Sequence, residues 1–463
     1  MEPALVALML AVTTAADVDS VSTTTAPPDA TPMVATGSDV ASADGSSGDS
    51  TAGSTAGWTA ATGGLRFRPG SLPAFVPNFA PYLAKVNLFG TDCLAPGARI
   101  ASDPMSDAAH AVKYALAELG IQYELKQGIA VAAMTNTQKG DSVLGAYAGE
   151  LKGAWFLLQS DEAAGFLSYQ VNFGTGLGSN ENEQTPKRNI NSQNEPGSAW
   201  FGYDVEVPDV SWGTALFDGT FVVIAGMINQ TKFLDYNRYS NTRFGQMNNS
   251  SFINSKVFAM PKNDLGVALQ WQPADWCYVM GSAAANNTPG GTVPWLNLES
   301  DSMTYLGEFG LIGEDVAGLG PGVLRLQPFY ATNGGPTGTG ISVNFEQSLG
   351  HESPWAAWGR FGVCEESVAS LGGASAQASL GIAAIGLFAS STGVGERDYL
   401  GLGAGWTRSP DGALDEYVLE ASYRLDLTST VAIQPDVQWV YDPRDNAPNT
   451  DSVVFQLQLI VRW

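Results

Sequence analysis

Arginines and carboxylates recur in this chain at two-residue intervals among apolar neighbours, a spacing that suits recognition rather than turnover. Arg325 lies between Leu324 and Leu326, and Arg360 precedes Phe361. Glu308, Glu346, Glu420, Arg424, Gln434, Asp436, Gln438 and Gln458 likewise take the polar parity of their runs. A guanidinium presents a planar fork of donors and a carboxylate only accepts, so a surface carrying both can bind groups that do either. Trp358 shares parity with Arg360 and is expected to add a flat aromatic face. The segment 231–262 gathers Asp235, Asn237, Arg238, Tyr239, Asn241 and Arg243. No catalytic set accompanies them. The chain has no GxSxG, P-loop or HExxH, its two histidines, His110 and His351, are far apart, and Cys93, Cys277 and Cys364 form no metal-ligand spacing. No catalytic residue, cofactor or metal is therefore expected.

Strands must position those residues, because the side chains of a strand change face at every residue. In 453–463, Val453, Phe455, Leu457, Leu459, Val461 and Trp463 share one parity, while Gln456, Gln458 and Arg462 take the other. The runs 431–441 and 416–425 repeat the pattern. Alternation alone fits a soluble sandwich with its apolar face inward, or a transmembrane barrel with that face on lipid. A terminal aromatic residue, Trp463, is how the closing strand of an outer-membrane barrel commonly ends.

Composition favours the barrel. Of 463 residues, 15% are charged, against roughly 25% in ordinary globular proteins. A lipid-facing surface accounts for that shortage, and tight turns for many of the 53 glycines. The net charge of −24 argues against a nucleic-acid partner. No run approaches the roughly 20 apolar residues of a spanning helix. Ala4 to Val12, followed by Thr14-Ala15-Ala16, reads as a signal peptide over 1–16.

Residues 17–64, rich in Ser, Thr, Ala, Gly and Asp, read as a low-complexity disordered arm. Residues 65–102, punctuated by five prolines, read as an extended periplasmic segment. From 103 to 463 we expect a helix over Asp103–Leu119, with Pro104 in its first turn, Gly120 at its stop and a narrow stripe of Val112, Leu116 and Leu119. About sixteen strands follow, near 121–136, 143–157, 164–174, 199–208, 219–229, 264–271, 275–283, 303–311, 322–331, 340–347, 354–363, 376–388, 397–407, 416–425, 431–441 and 453–463. Connections after odd-numbered strands include the long, polar stretches 176–198, 230–264 and 282–302. Those after even-numbered strands are mostly short. Outer-membrane barrels show this asymmetry, and sandwiches have no reason for it. The fold expected is an all-β transmembrane antiparallel barrel of about sixteen strands. Phe455, Leu457 and Leu459 should face out, and Gln456 and Arg462 in.

The chain from about 103 to 463 resembles the carbohydrate-selective porins of the OprB type. The resemblance rests on LAELGI at 116–121, FLDYNRYSNTRFGQMNNSSF at 233–252, GVLRLQPFY at 322–330, RDYLGLGAGW at 397–406 and the stretch 420–441 ending in QPDVQWVYDP. It implies a sixteen-stranded channel in the cell outer membrane through which small neutral sugars diffuse passively, as a monomer or a homotrimer. The arm departs from the family's usual short start, and its role stays open between a spacer, a contact to the cell envelope and a glycosylated stalk. On that reading the polar face lines the pore, and 231–262 folds inward as its constriction, so Arg238→Ala or Arg360→Ala should widen or neutralise it. A general or anion-preferring porin is the alternative within transport. A secreted β-rich binding or adhesion protein is the alternative outside it.

Overall fold

The computed structural model describes residues 112, 113, 115, 116 and 119–463, apart from 160–162, 179–183, 198–204, 218, 243, 259–263, 287–301, 333, 352, 389–397, 429 and 444–450. The signal peptide, arm and proline-rich segment expected over 1–102 lie outside these residues. So does most of the helix expected over 103–119, of which Val112, Lys113, Ala115 and Leu116 are helical. Its stripe does not pack as expected. Val112 and Leu119 are exposed, while Lys113 is buried with its ammonium over the Tyr123 ring.

Alternating residues, many of them β-branched or aromatic, build sixteen strands. They are β1 (Ile121–Met134), β2 (Val143–Gln159), β3 (Ala163–Leu177), β4 (Glu206–Leu216), β5 (Phe221–Ile228), β6 (Asp264–Ala274), β7 (Cys277–Ala285) and β8 (Met303–Gly313). The second half comprises β9 (Gly322–Thr332), β10 (Thr337–Ser348), β11 (Trp355–Cys364), β12 (Ala376–Ile385), β13 (Tyr399–Arg408), β14 (Asp415–Asp426), β15 (Val431–Tyr441) and β16 (Ser452–Arg462). Each strand pairs antiparallel with its sequence neighbours, and β16 pairs with β1, aligning Leu459 with Ile129 and Gln458 with Ala130. The sheet is closed and has no free edge. That closure lets a sheet cross hydrocarbon with all its backbone groups satisfied.

The two faces carry opposite chemistry. Phe455, Leu457 and Leu459 are 55%, 56% and 42% exposed, whereas Gln456, Gln458 and Arg462 are 3%, 1% and 6% exposed. A soluble core would reverse that order. The outward parity of other strands is equally apolar, as at Leu324 and Leu326, Leu380 and Ile382, and Tyr417 and Leu419. Aromatic pairs band the end where the long loops emerge. Tyr305 and Tyr330 lie 6.1 Å apart, and Trp439 and Tyr441 5.7 Å.

One strand differs from the sequence reading. The fourth was expected at 199–208, but β4 occupies Glu206–Leu216. Pro208-Asp209 reads as a turn, yet it sits where pairing jumps from Gln170↔Asp209 to Asn172↔Glu206. A bulge tolerates a residue that cannot donate to the ladder, so the strand continues through the proline. Connections at one end are brief, as at 217–220, 275–276 and 427–430, while at the other end residues 184–197 and 229–258 turn back into the barrel.

Candidate functional site

The segment 229–263 departs from β5 through an Asn229 cap and a single 3-10 turn, Gln230–Lys232. Phe233 and Leu234 then bury among wall residues that include Ala268, Met280 and Leu306. Directly after them, Asp235 adopts a left-handed backbone, φ 62°. A non-glycine residue holds that conformation at some cost, so its surroundings must over-determine it. They do. The Asp235 amide donates to Glu308 Oε2 at 2.7 Å, its Oδ1 accepts from Arg360 Nε at 3.0 Å and from Asn344 Nδ2 at 2.7 Å, and its Oδ2 accepts from the Ser255 amide at 2.7 Å. The same guanidinium donates to the carbonyls of Asp235, Ser240 and Phe252. Arg360, fully buried on β11, thus ties together three separate points of the loop.

Further along, the loop meets strand after strand. Asn237 Nδ2 donates to Asn344 Oδ1 at 2.8 Å, and the Tyr239 carbonyl accepts from Tyr399 Oη at 2.7 Å. The amides of Asn248 and Asn249 both donate to the Glu420 carboxylate of β14, the second at 2.9 Å. Asn249 Nδ2 reaches Gln438 Oε1 at 2.9 Å, and Asn248 Oδ1 accepts from Gln458 Nε2 at 2.8 Å. Arg424 Nη1 donates to the carbonyl of Gly245 at 2.9 Å. Gly245 has φ +99°, and a Cβ there would lie 2.8 Å from that Nη1, so glycine suits the position on both counts. One-turn helices α1 (Pro186–Asn189) and α2 (Ser250–Ile253) lie in the two long connections, and α2 sets Phe252 edge-on to Trp358, with ring centroids 5.7 Å apart. Its seat is a run of inward glycines on β13: a Cβ on Gly403 would meet Met247 Cε at 2.8 Å and Phe252 at 3.2 Å.

Most of the residues expected at a pore do face inward, but many hold the loop rather than water. Asp235, Asn237, Arg360, Glu420, Gln434 and Gln438 are buried at its contacts. Gln434 Nε2 bonds Ser422 Oγ at 2.7 Å and also the Gln246 carbonyl. Glu308 accepts from Tyr278 Oη at 2.6 Å and from Gln327 at 2.6 Å, and Arg325 spans Tyr278 Oη at 3.0 Å and Glu346 at 3.1 Å. Asp436 accepts from Gln438 at 2.8 Å. Tyr239 is buried against the wall, and Arg238, the residue beside it, is exposed. Arg243 lies outside the described residues. Trp358 is a correction: at 0% exposure, wedged over Gly381 and beneath Phe252, it has no free face for a solute. Parity gave its direction, and the loop above it took the surface.

Two features escaped the sequence reading. Residues 184–197 also fold in, where Glu416 of β14 accepts from Ser192 Oγ at 2.8 Å, the Gln193 amide at 2.7 Å and Asn194 Nδ2 at 2.7 Å. It joins the first loop through paired backbone and hydroxyl bonds between Glu195 and Ser250 at 2.8 and 2.9 Å. The second feature is an ionic quartet on β1 and β2, with Lys126–Glu124 at 2.8 Å, Lys152–Glu124 at 3.2 Å and Lys152–Glu150 at 2.8 Å. Their i, i+2 spacing was the available signal. The loop meets this wall at Gly128, where Phe244 lies 3.1 Å from the position of a Cβ. Among the described residues no group of three or more His, Cys, Asp or Glu is arranged to hold a metal ion.

A closed antiparallel barrel, apolar outside and polar within, carrying an inward loop pinned across its interior, is a transmembrane porin. The sequence matches the family model of the carbohydrate-selective porins, OprB family, over residues 195–462, and the chain belongs to that family. It is an outer-membrane channel for the passive diffusion of small carbohydrates, not an enzyme. Among solved structures it is similar to the high-pH structure of Pseudomonas putida OprB, with 15% identity and a TM-score of 0.65 over 79% of this chain and 99% of that one. The low-pH structure of the same protein aligns with 14% identity and a TM-score of 0.50 over the same shares. No curated protein sequence matches it.

Proposed function

We propose that small neutral sugars cross beside the partly exposed Lys126, Glu150 and Lys152 of β1 and β2, and that the segment 229–263 sets the width of this passage. The observation that carries the reading is the anchoring of Asp235 and of Asn248–Asn249 to opposite parts of the wall, which fixes a polar obstacle inside a closed bore. Such a path selects by size and by hydrogen bonding without a turnover step. Lys126, Lys152 and Glu150, which keep 12%, 13% and 19% of their side-chain exposure, offer sugar hydroxyls donors and acceptors along the passage. A single bore suffices for this flux, so a monomer and a homotrimer would both conduct. Cross-linking in native outer membranes distinguishes them. The segment 17–64 is assigned as a tether to the cell envelope.

Liposome swelling with purified protein across a series from pentoses to oligosaccharides tests the assignment. Rates should fall steeply with sugar size. Equal rates for monosaccharides and long oligosaccharides would show that the loop does not set the limit.

A further inference from the structure

Arg325, Arg360 and Arg462, buried on the inner wall, each have a carboxylate partner, in Glu346, Asp235 and Asp426. Lys113 has none. It lies on the helical segment ahead of β1, is 5% exposed, and its Nζ meets no hydrogen-bond acceptor among the described residues. Its ammonium stands 5.5 Å from the centroid of the Tyr123 ring. A ring face attracts a cation but brings no counter-charge, so a desolvated ammonium there still lacks an anion.

The surroundings say which kind of anion fits. Tyr123 takes the outward parity at the start of β1, the face that meets lipid and not the bore. It is opposite Gly153, which is opposite Tyr169. A Cβ on Gly153 would run into the Tyr169 hydroxyl, so the glycine lets that ring lie across the row and donate to the Gln122 carbonyl at 3.1 Å. Two residues beyond Tyr123, Leu125 exchanges backbone bonds with Trp463 at 3.1 and 2.8 Å, and the indole Nε1 of Trp463 is a second buried donor with no partner. Trp155 Nε1 donates to the Leu119 carbonyl at 3.2 Å, which ties the end of the helical segment to β2. Leu119, Trp155 and Leu158 nearby are 66%, 41% and 56% exposed. Aromatic residues band a barrel at headgroup level, and short turns face the periplasm, so this end meets the inner leaflet.

We propose that Lys113, flanked by Tyr123 and Trp463, binds the phosphate of an inner-leaflet glycerophospholipid, while Leu119, Trp155 and Leu158 contact its acyl chains. The phosphate supplies the counter-charge that the ammonium lacks and an acceptor for the indole N–H. The flexible stem of Lys113 lets its head reach the headgroup level. The site lies outside the bore and is independent of the route that sugars take.

The test uses the full chain purified in a mild detergent. It is mixed with phosphatidylglycerol, with diacylglycerol of the same chains or with inorganic phosphate, and bound lipid is read by native mass spectrometry. Phosphatidylglycerol should be retained, diacylglycerol should be lost, and inorganic phosphate in large excess should not displace the phospholipid. Lys113→Gln should lower retention at least about fivefold, and Trp463→Phe, which keeps a ring and removes the N–H, should lower it less. Lys139→Gln, at an exposed position at the opposite end, should change nothing. Parent-like retention in Lys113→Gln or in Trp463→Phe, equal binding of diacylglycerol, or displacement by inorganic phosphate would each overturn the proposal. Glucose entry into liposomes should match the parent in both variants, since neither side chain faces the bore.

Discussion

The wall formed by β8–β14 and the short-turn half of β1–β3 obey the same alternation, yet they do different work. On the first, inward carboxylates and arginines are covered by 229–263 and hold its backbone: Glu308 takes the Asp235 amide, Glu420 takes two further amides, and Arg360 caps three carbonyls. On the second, buried Glu124 pairs with Lys126 and Lys152, and the side chains of Lys126, Lys152 and Glu150 keep some contact with solvent. The difference shows that facing inward and facing water are separate properties. Strand parity decides the first, and the loop decides the second.

The largest expected effect follows from removing the centre of the covered wall. Arg360 and Asp235 are both wholly buried, and breaking a buried pair on one side costs about 3–5 kcal/mol because the other charge is stranded. In Arg360→Met the loop should release, since the buried Asp235 carboxylate then keeps only neutral donors, Asn344 and the Ser255 amide, and three loop carbonyls lose the guanidinium. The barrel itself should persist, because closure of the sheet does not use this side chain. Single-channel conductance should rise severalfold while heat-modifiable migration on gels stays normal. Wild-type conductance in this variant would mean that the covered wall does not hold the loop.

A smaller effect is expected where the same wall is shaped by absent side chains. Gly403→Val would place carbon where Met247 and Phe252 now sit, and overpacking of a filled site costs typically about 1–3 kcal/mol. The α2 end of the loop should shift while the Asp235 end stays anchored. Conductance should therefore change less than in Arg360→Met, with more open-channel noise. A variant as quiet as the parent protein would show that the glycine run is not the seat of α2.

How much of this was legible in the sequence follows from the same distinction. Alternation located fifteen of the sixteen strands and gave the inward direction of Arg325, Trp358, Arg360 and Glu420, because a period of two is a local property of the backbone. β4 was misplaced because Pro208 carries a turn signal that only its pairing with β3 overrides. The inward fold of 229–263 was expected from its donors, acceptors and aromatic groups. Which of them would be buried was not, since Asn344 and Arg360, which hold the Asp235 carboxylate, lie 109 and 125 residues away. The glycines at 401, 403 and 405 stood in plain view, but their meaning depends on Met247 and Phe252, which no spacing along β13 reveals. Nor did parity separate Trp358, sealed beneath Phe252, from Lys152, which remains wet.

The smallest effect belongs to the uncovered wall, and it sharpens the comparison by moving selectivity without moving the loop. Glu150→Gln removes a carboxylate whose lysine partner retains Glu124 at 3.2 Å. A partly hydrated ion pair of this kind contributes on the order of 0.2–1 kcal/mol, so thermal stability should hardly change. Conductance should stay close to that of the parent, because among the described residues of 229–263 none hydrogen-bonds or ion-pairs with Glu150. The permeability ratio should nevertheless shift towards anions, since Lys152 loses one of its two counter-charges in contact with solvent. Reversal potentials in a salt gradient read that shift directly. If Glu150→Gln changed conductance as much as Arg360→Met, the two walls would be mechanically coupled, and the division between a holding wall and a conducting one would fail.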